Sequence, residues 1–382
     1  MSLPTPDRTR VSVVGTVGLP ARYGGFETLV ANLVDYRDSH ELPCELTVYC
    51  SAKAYTDRPD RYGGAVLRYV PLGANGASSI LYDIWSILDA VLRRERVILV
   101  LGVSGAVVLP LVRLLSRARL VVNIDGLEWK RPKWSRLAAS FLRLSEWLAV
   151  RSAHVVVADN RGIVDHVRLA YGQEAVDIPY GGDHAVAGAP IDDLKPANAN
   201  GVGYALMLCR IEPENHIHLI LDAFDRPGRI ELVAVGNWAS SEYGRLLRDR
   251  YRDIPRIRIL EPIFDKQKLA ELRADAALYV HGHSAGGTNP ALVEMMHFGT
   301  PVAAFDCSYN RYTTEDAAVY FRSADELATL VAGYGEAIDW EHGLRLREIA
   351  RRRYTWEIVG GQYFAAMDVI STTGTAVRTQ GG

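Results

Sequence analysis

The chain has 382 residues, 48% hydrophobic and 23% charged, with 43 basic and 45 acidic side chains and a formal net charge of -2. At about 100–200 residues per domain that length suggests two domains, and the composition excludes a disordered or fibrous chain. The balanced charge gives no general reason to expect nucleic-acid binding.

Four cysteines, Cys44, Cys50, Cys209 and Cys307, lie far apart and form no C-x-x-C, so a reducing, cytoplasmic compartment is expected. Met1 to Arg10 is polar and lacks the apolar centre of a secretory signal. The uncharged run Val97–Val112 is broken by Gly102, Ser104, Gly105 and Pro110. It reads as a buried strand, a glycine turn and a helix over about Ala106–Ser116 rather than a membrane span.

In chain order, Val11–Val14 reads as a strand and Phe26–Tyr36 as a helix. Strands Leu46–Tyr49 and Ala65–Val70 follow. Ile80–Arg93 carries Ile80, Ile84, Ile87, Leu88 and Val91 at helical spacing. Strands Val97–Leu101, Leu120–Ile124 and Val155–Ala158 come next, with a long helix near Ser135–Arg151. Around Gly188–Gly201, Ala, Pro, Asn and Asp dominate and no period survives, as in a linker. Alternation restarts with strand Ala205–Leu208, helix Ile217–Phe224, strand Glu231–Val235, helix Ser241–Tyr251 and strand Ile257–Leu260. Helix Lys266–Ala274, strand Ala277–Val280, helix Pro290–Phe298 and strand Pro301–Ala304 complete the reading. Strand–helix alternation predicts two α/β, doubly wound parallel-sheet domains facing a cleft.

Four segments carry the chemistry. Gly15-Thr16-Val17-Gly18, then Tyr23-Gly24-Gly25-Phe26-Glu27-Thr28, follows the first strand and opens the first helix. Glycines such as Gly18, Gly24 and Gly25 let the backbone approach a phosphate there, although the pattern is not G-x-G-x-x-G and a plain glycine turn is the alternative. His281–Glu294 is the most informative stretch: a strand end, a loop with Gly286, Gly287 and Thr288, Asn289 as N-cap and Pro290 at the first helical position. Loop amides plus the helix dipole suit a diphosphate, and Glu294 one turn inside can accept from a ribose diol; a capped helix with a surface Glu is the alternative. Reading His281 and His283 as metal ligands is disfavoured, because alternate strand residues face opposite sides.

The third segment, Cys209–His216, places Arg210 where a strand ends, able to grip a phosphate, with a plain surface arginine as the alternative. The fourth, Asn123–Trp134, places Asp125 and Glu128 at another strand end, able to orient or deprotonate an acceptor hydroxyl. Beside them Trp129, Lys130, Arg131, Lys133, Trp134 and Arg136 form a basic-aromatic patch suited to an anionic interface, or a solvated charged turn. Gly102-Val103-Ser104-Gly105 lacks the last glycine of a nucleophile elbow. No D-x-D occurs, so a metal-chelating nucleotide-sugar site is unsupported.

On Tyr23–Thr28, Asn123–Arg131, Cys209–Asn215, Val235–Trp238, Gly282–Pro290 and Ser308–Arg311, the sequence resembles glycosyltransferase family 4 over about residues 10–365. These are retaining enzymes of the GT-B fold, with two Rossmann-like domains. More narrowly it resembles their bacterial rhamnosyltransferase-like branch, whose N-terminal half was long catalogued as a domain of unknown function. The resemblance implies an acceptor-side domain over 1–187, a linker at 188–202 and a nucleotide-sugar-binding domain over 203–355. It further implies a helix at 356–370 crossing back to the first domain, before a disordered tail at 371–382.

Arg210 would match the family's pyrophosphate-binding arginine, whose lysine partner falls at Asn215. Of two family glutamates seven residues apart, Glu294 matches the ribose-binding second, and the first falls at Gly286. Tyr23, Glu27, Asp125 and Trp129 would face the acceptor. No metal or other cofactor is implied. The implied donor is dTDP-β-L-rhamnose and the implied acceptor a lipid-diphosphate-linked saccharide; peripheral contact with the inner face of the plasma membrane is left open by the basic-aromatic patch. A GT-B nucleotide-sugar epimerase and a non-catalytic nucleotide-sugar-binding relative are the alternatives.

Overall fold

The computed structural model describes residues 8–21, 24–76, 78–131, 134–186 and 203–370. Tyr23, Lys133, the linker at 188–202 and the tail at 371–382 lie outside the described residues. The chain divides into two compact units: Met1–Asp159 with Ile163–Ile178 and Trp356–Gly382, and Asn160–Gly162 with Pro179–Thr355. Residues 179–186, read from sequence as the end of the first domain, thus group with the second. Their turn at Asp183–Ala185 packs on the helix that carries Glu294.

The first unit runs β1 (Thr9–Val14), α1 (Gly25–Ser39), β2 (Cys44–Ser51), β3 (Arg61–Tyr62), β4 (Ala65–Val70) and α2 (Ser78–Leu92). Then come β5 (Val97–Leu101), α3 (Leu109–Leu115), β6 (Arg119–Asn123), α4 (Arg136–Ser152), β7 (Val155–Ala158), α5 (Arg161–Tyr171) and β8 (Val176–Asp177). Its eight strands lie in the order β3-β4-β2-β1-β5-β6-β7-β8, parallel except for β3. Every residue of β5 is buried, as expected for a central parallel strand covered on both faces. That explains its unbroken apolar run without a membrane, and no described helix is long and apolar enough to cross one. The predicted helix over Ala106–Ser116 is a 3-10 turn (Ala106–Val108) followed by α3. Pro110 sits in the first turn of α3, where its missing N–H costs nothing.

The second unit runs β9 (Tyr204–Leu208), α6 (Ile217–Phe224), β10 (Leu232–Val235), α7 (Glu242–Tyr251), β11 (Ile257–Leu260), α8 (Lys266–Ala274) and β12 (Ala276–His281). It continues α9 (Pro290–His297), β13 (Val302–Phe305), α10 (Ser308–Thr314), β14 (Val319–Phe321), α11 (Ala324–Ala332) and α12 (Trp340–Arg353). Six parallel strands take the order β11-β10-β9-β12-β13-β14 around a core that includes Phe224, Trp238 and Phe321. Helix starts follow their capping residues: Ser241 accepts from Gly244 N, Asp265 from Gln267 and Lys268 N, and Ser323 from Glu326 N.

The last helix, α13, spans Trp356–Ala366, four residues short of the expected Ile370, and groups with the first unit. It packs on α1, where Phe364 stacks on Tyr36 at 5.7 Å. Gly360 allows that approach, since a Cβ there would lie 2.5 Å from the Tyr36 ring. Tyr363 Oη accepts from Asn123 Nδ2 at 2.7 Å, tying α13 to the end of β6. All four cysteines are free.

Candidate active site

In the second sheet the strand order reverses between neighbours β9 and β12. Open α/β sheets bind ligands outside the carboxyl ends of their strands at such a point. Cys209–His216 leaves β9 there and Gly282–Asn289 leaves β12. Hydrogen bonds join the two loops. Asn215 Nδ2 donates to the Arg210 carbonyl at 2.6 Å, and Asn215 Oδ1 meets His283 Nδ1 at 2.6 Å. Ser284 N donates to the Glu214 carbonyl at 3.0 Å. At Gly282 a Cβ would lie 2.0 Å from the Asn215 carbonyl oxygen, so only glycine permits this approach.

The Arg210 guanidinium is 43% exposed and meets only Glu212, at 3.7 Å, among the described residues. It is therefore available to an anion. Burial pushes the neighbouring Cys209 thiol up to about 12, so it stays protonated. Gly286 and Gly287 take φ 33 and 86, a left-handed path that turns the chain into α9. The amides of Ala285, Gly286 and Gly287 donate no hydrogen bond among the described residues. Asn289 caps α9 by accepting from Ala291 N at 3.0 Å, with Pro290 following. Thr288 is buried, its hydroxyl accepting from Asn160 Nδ2 at 3.2 Å.

Glu294 faces inward rather than to solvent. Arg273 from α8 donates to its Oε2, and His184 lies 3.2 Å from its Oε1. Burial alone would raise its pKa, but Arg273 and His184 outweigh that and hold the carboxylate below its ordinary range. His281 is buried, and its Nε2 has no hydrogen-bond partner among the described residues. Burial, with His283 nearby, pushes its pKa well below the usual value and keeps the ring neutral. Among the described residues no group of three or more His, Cys, Asp or Glu is placed to hold a metal ion.

The first sheet reverses its order between β1 and β5. Gly15 leaves β1 so close to β5 that a Cβ would lie 2.0 Å from the Leu101 carbonyl oxygen. Gly18 is pressed against Cys50, 2.7 Å from a would-be Cβ. Glu27 is buried, its Oε1 accepting from Thr16 Oγ1 at 2.8 Å and Val17 N at 2.7 Å. A Cβ at Gly24 would lie 1.9 Å from Glu27 Oε2. Gly24 thus makes room for Glu27, and Glu27 pins the Gly15–Gly18 loop. Gly25 opens α1. In α2, Tyr82 Oη donates to the Thr16 carbonyl at 2.9 Å, and Asp83 packs under Gly105. Burial pushes the Asp83 carboxyl up to about 8.

Asp125 follows β6 in a left-handed conformation, φ 60, with its N–H donating to Asn123 Oδ1 at 2.8 Å. Glu128 is paired with Arg131 at 2.9 Å and accepts from Trp134 Nε1 at 3.1 Å. Trp129 Nε1 donates to the buried Glu146 at 2.9 Å, while Lys130 and Arg143 lie over the Trp129 ring at 5.3 Å each. Glu146 also meets His166 at 2.9 Å and Tyr171 Oη at 2.6 Å, so one carboxylate joins this loop to α4 and α5.

Residues 8–183 match a domain of unknown function, DUF1972. No curated protein matches the sequence. Among solved structures, the sucrose-phosphate synthase of Thermosynechococcus elongatus superposes with a TM-score of 0.77 at 16% identity, covering 93% of this chain and 97% of its own. HepE of Anabaena, in complex with UDP, gives 0.68 at 15% identity over 95% of this chain and 100% of its own. A glycosyltransferase from Rickettsia africae gives 0.68 at 12% identity, over 96% and 100%. The chain has the GT-B fold.

A GT-B chain can carry many activities, so function rests on the site. Sequence reading located the loops but missed what holds them: Arg273 and His184 on Glu294, Glu146 under Trp129, and Asp83 beside Gly105. Glu146 left a signal, an acid on the apolar face of α4 beside Leu142 and Ala149.

Proposed function

We propose that this GT-B chain is a retaining glycosyltransferase that moves L-rhamnose from dTDP-β-L-rhamnose to a lipid-diphosphate-linked saccharide in bacterial surface-polysaccharide synthesis. One observation carries the transferase reading: an available arginine, undonated loop amides and the N-terminus of α9 converge at the β9/β12 switch point. A departing nucleoside diphosphate gains negative charge as the glycosidic bond breaks. Fixed donors aimed at that charge lower the barrier without reorganising. Arg210, the Gly286 and Gly287 amides and the α9 dipole would carry the charge with no metal. The acceptor hydroxyl would then attack from the face the phosphate leaves, giving its proton to a departing phosphate oxygen. Asp125 would position that hydroxyl.

Two departures from family 4 favour an unusual donor over a common hexose. Gly286 stands where a sugar-binding glutamate is usual, leaving room and no carboxylate. Asn215 stands where a lysine is usual, so Arg210 is the one side-chain cation of this segment. Glu294, kept ionised by Arg273 and His184, would accept from a ribose hydroxyl through a remaining lone pair.

The test is a thermal-shift screen of nucleotide sugars, since a ligand that binds only the folded chain raises its melting temperature by mass action. The largest shift is expected with dTDP-rhamnose, followed by transfer to a lipid-linked acceptor. A preference for UDP- or GDP-sugars removes the rhamnosyl reading. Interconversion of free nucleotide sugars without acceptor replaces transfer with epimerisation, and binding without turnover leaves a non-catalytic relative.

A further inference from the structure

The first unit carries a surface that the proposed chemistry does not use. Helices α2, α3 and α4 connect β4 to β5, β5 to β6 and β6 to β7, each crossover stepping the same way across the sheet. Right-handed crossovers then place all three on one sheet face. Contacts between α3 and α4, and of α2 and α4 with the turn before α3, confirm that they form one layer. Their inner sides bury Ile87, Val112 and Leu142.

Their outer sides are apolar where solvent-facing helices should be polar. On α2, Leu81, Trp85, Leu88 and Leu92 recur at helical spacing, and Leu81 and Trp85 are 61% and 57% exposed. On α3, Leu114 and Leu115 are 82% and 73% exposed. On α4, Leu137, Leu144 and Trp147 form a third stripe. Most of the large exposed apolar side chains among the described residues belong to this one layer. Single exposed leucines are ordinary, but a contiguous patch marks an interaction surface.

Charge decides the partner. From Ser78 to Ser152 every exposed charged side chain among the described residues is Arg or Lys. The acids of that stretch, Asp83, Asp89, Glu95, Asp125, Glu128 and Glu146, are all buried or half-buried. Arginine near a helix C-terminus favours the dipole, which accounts for Arg113 singly but not for the exclusion of exposed acid. The chain as a whole is slightly acidic, so the basic charge is local. A second copy docked face to face would bring basic rim against basic rim. An anionic lipid surface satisfies both features, taking leucine and tryptophan at headgroup depth and arginine at the phosphates.

We infer that the outer face of α2, α3 and α4 is a docking surface for an anionic bilayer. The surface adjoins the Trp129–Arg136 patch noted in the sequence, which packs on α4 through Trp129 and Arg143, and it stands whether or not the chain transfers a sugar.

The full chain is sedimented with vesicles of phosphatidylcholine alone and of phosphatidylcholine mixed with phosphatidylglycerol. Wild type pellets with the mixed vesicles and is released as salt rises. Arg113→Glu with Arg117→Glu lowers partitioning about tenfold or more. Trp85→Ser with Leu114→Ser loses it with every arginine in place. Both variants keep the nucleotide-induced thermal shift, which separates this surface from the donor site. Wild-type protein that ignores the mixed vesicles, or binds both kinds alike, overturns the inference. So does a wild-type dimer that Trp85→Ser with Leu114→Ser converts to monomer, because the face would then be a self-association surface.

Discussion

Asn215 Oδ1 lies 2.6 Å from His283 Nδ1, while its Nδ2 holds the Arg210 carbonyl. One buried side chain therefore fixes the backbone that presents the arginine to the loop that presents the amides. Asn215→Ala leaves both partners unsatisfied and should cost about 1–3 kcal/mol, read by urea denaturation. Asn215→Lys should not tighten nucleotide binding, because the position is 4% exposed. A charge there must be desolvated, and the melting temperature should fall. A lysine variant that is both stable and tighter-binding would falsify the clamp.

Arg210→Ala removes an exposed cation at the switch point. Transfer should drop by about 100-fold or more, by analogy with losing a transition-state donor. Its ion pair with Glu212 spans 3.7 Å with both partners partly exposed, so stability should stay within about 0.5 kcal/mol. A folded variant with near-normal turnover takes Arg210 out of the mechanism.

Asp83 gives a pH signature. Its carboxyl titrates near 8 in the fold because burial disfavours the charged form, against about 3.9 unfolded. The folded state therefore holds a proton that the unfolded chain loses, and stability falls as pH rises from about 4 to about 8. Asp83→Asn does not titrate. The variant should gain melting temperature relative to wild type across that window, with the gap complete at its upper end. A gap that is constant with pH means the Asp83 carboxyl is already ionised in the fold.

Much of this architecture is visible in the sequence. Ala65–Val70, Val97–Leu101 and Val155–Ala158 are strands as read, and Ile217–Phe224 and Lys266–Ala274 are helices as read. The strands are short apolar runs between polar or turn residues, and Ser, Asn or Asp caps, such as Asp265 before Lys266–Ala274, mark several helix starts. Helix α5 was not read, although Asn160 caps it by accepting from Gly162 N at 2.9 Å, because only Ile163 and Val167 of its eleven residues are buried. The two-residue strand β8 has no period to read. At the site, loop positions were legible and partners were not. Glu27, Glu128 and Glu294 each looked available to a ligand, yet each carries a hydrogen bond or ion pair within its own unit. Glu294 meets Arg273 only because α8 and α9 flank β12, a relation of fold rather than spacing.

Trp129 tests the same distinction in the first unit. Trp129→Phe keeps the ring under Lys130 and Arg143 but removes the donor to Glu146. His166 and Tyr171 still hold that carboxylate. The loss should be about 1.5–3 kcal/mol, the usual worth of a hydrogen bond to a charged group. Acceptor KM should rise only to the extent that the Asp125–Trp129 loop loosens. A large KM effect with unchanged melting temperature would instead put the indole N–H on the acceptor.

The Arg273–Glu294 pair of the second unit is largely shielded from solvent, at 8% and 12% exposure. Arg273→Ala strands the carboxylate and should cost about 3–5 kcal/mol at neutral pH. The pH dependence has the opposite sign to that of Asp83. Burial alone would raise the Glu294 pKa, but Arg273 and His184 together bring it below the ordinary value. Its stabilisation is therefore present above about pH 4.3, the unfolded value. It is lost as pH falls through the lower, folded one. Wild type should shed stability on acidification below that point, and Glu294→Gln, which cannot titrate, should shed less. In Arg273→Ala the balance reverses, since burial is no longer opposed by the guanidinium, and the carboxyl should take up its proton at higher pH. Melting curves of the three proteins from neutral pH downward check this order. Parallel curves for wild type and Glu294→Gln would show that the carboxylate is not held below its ordinary range.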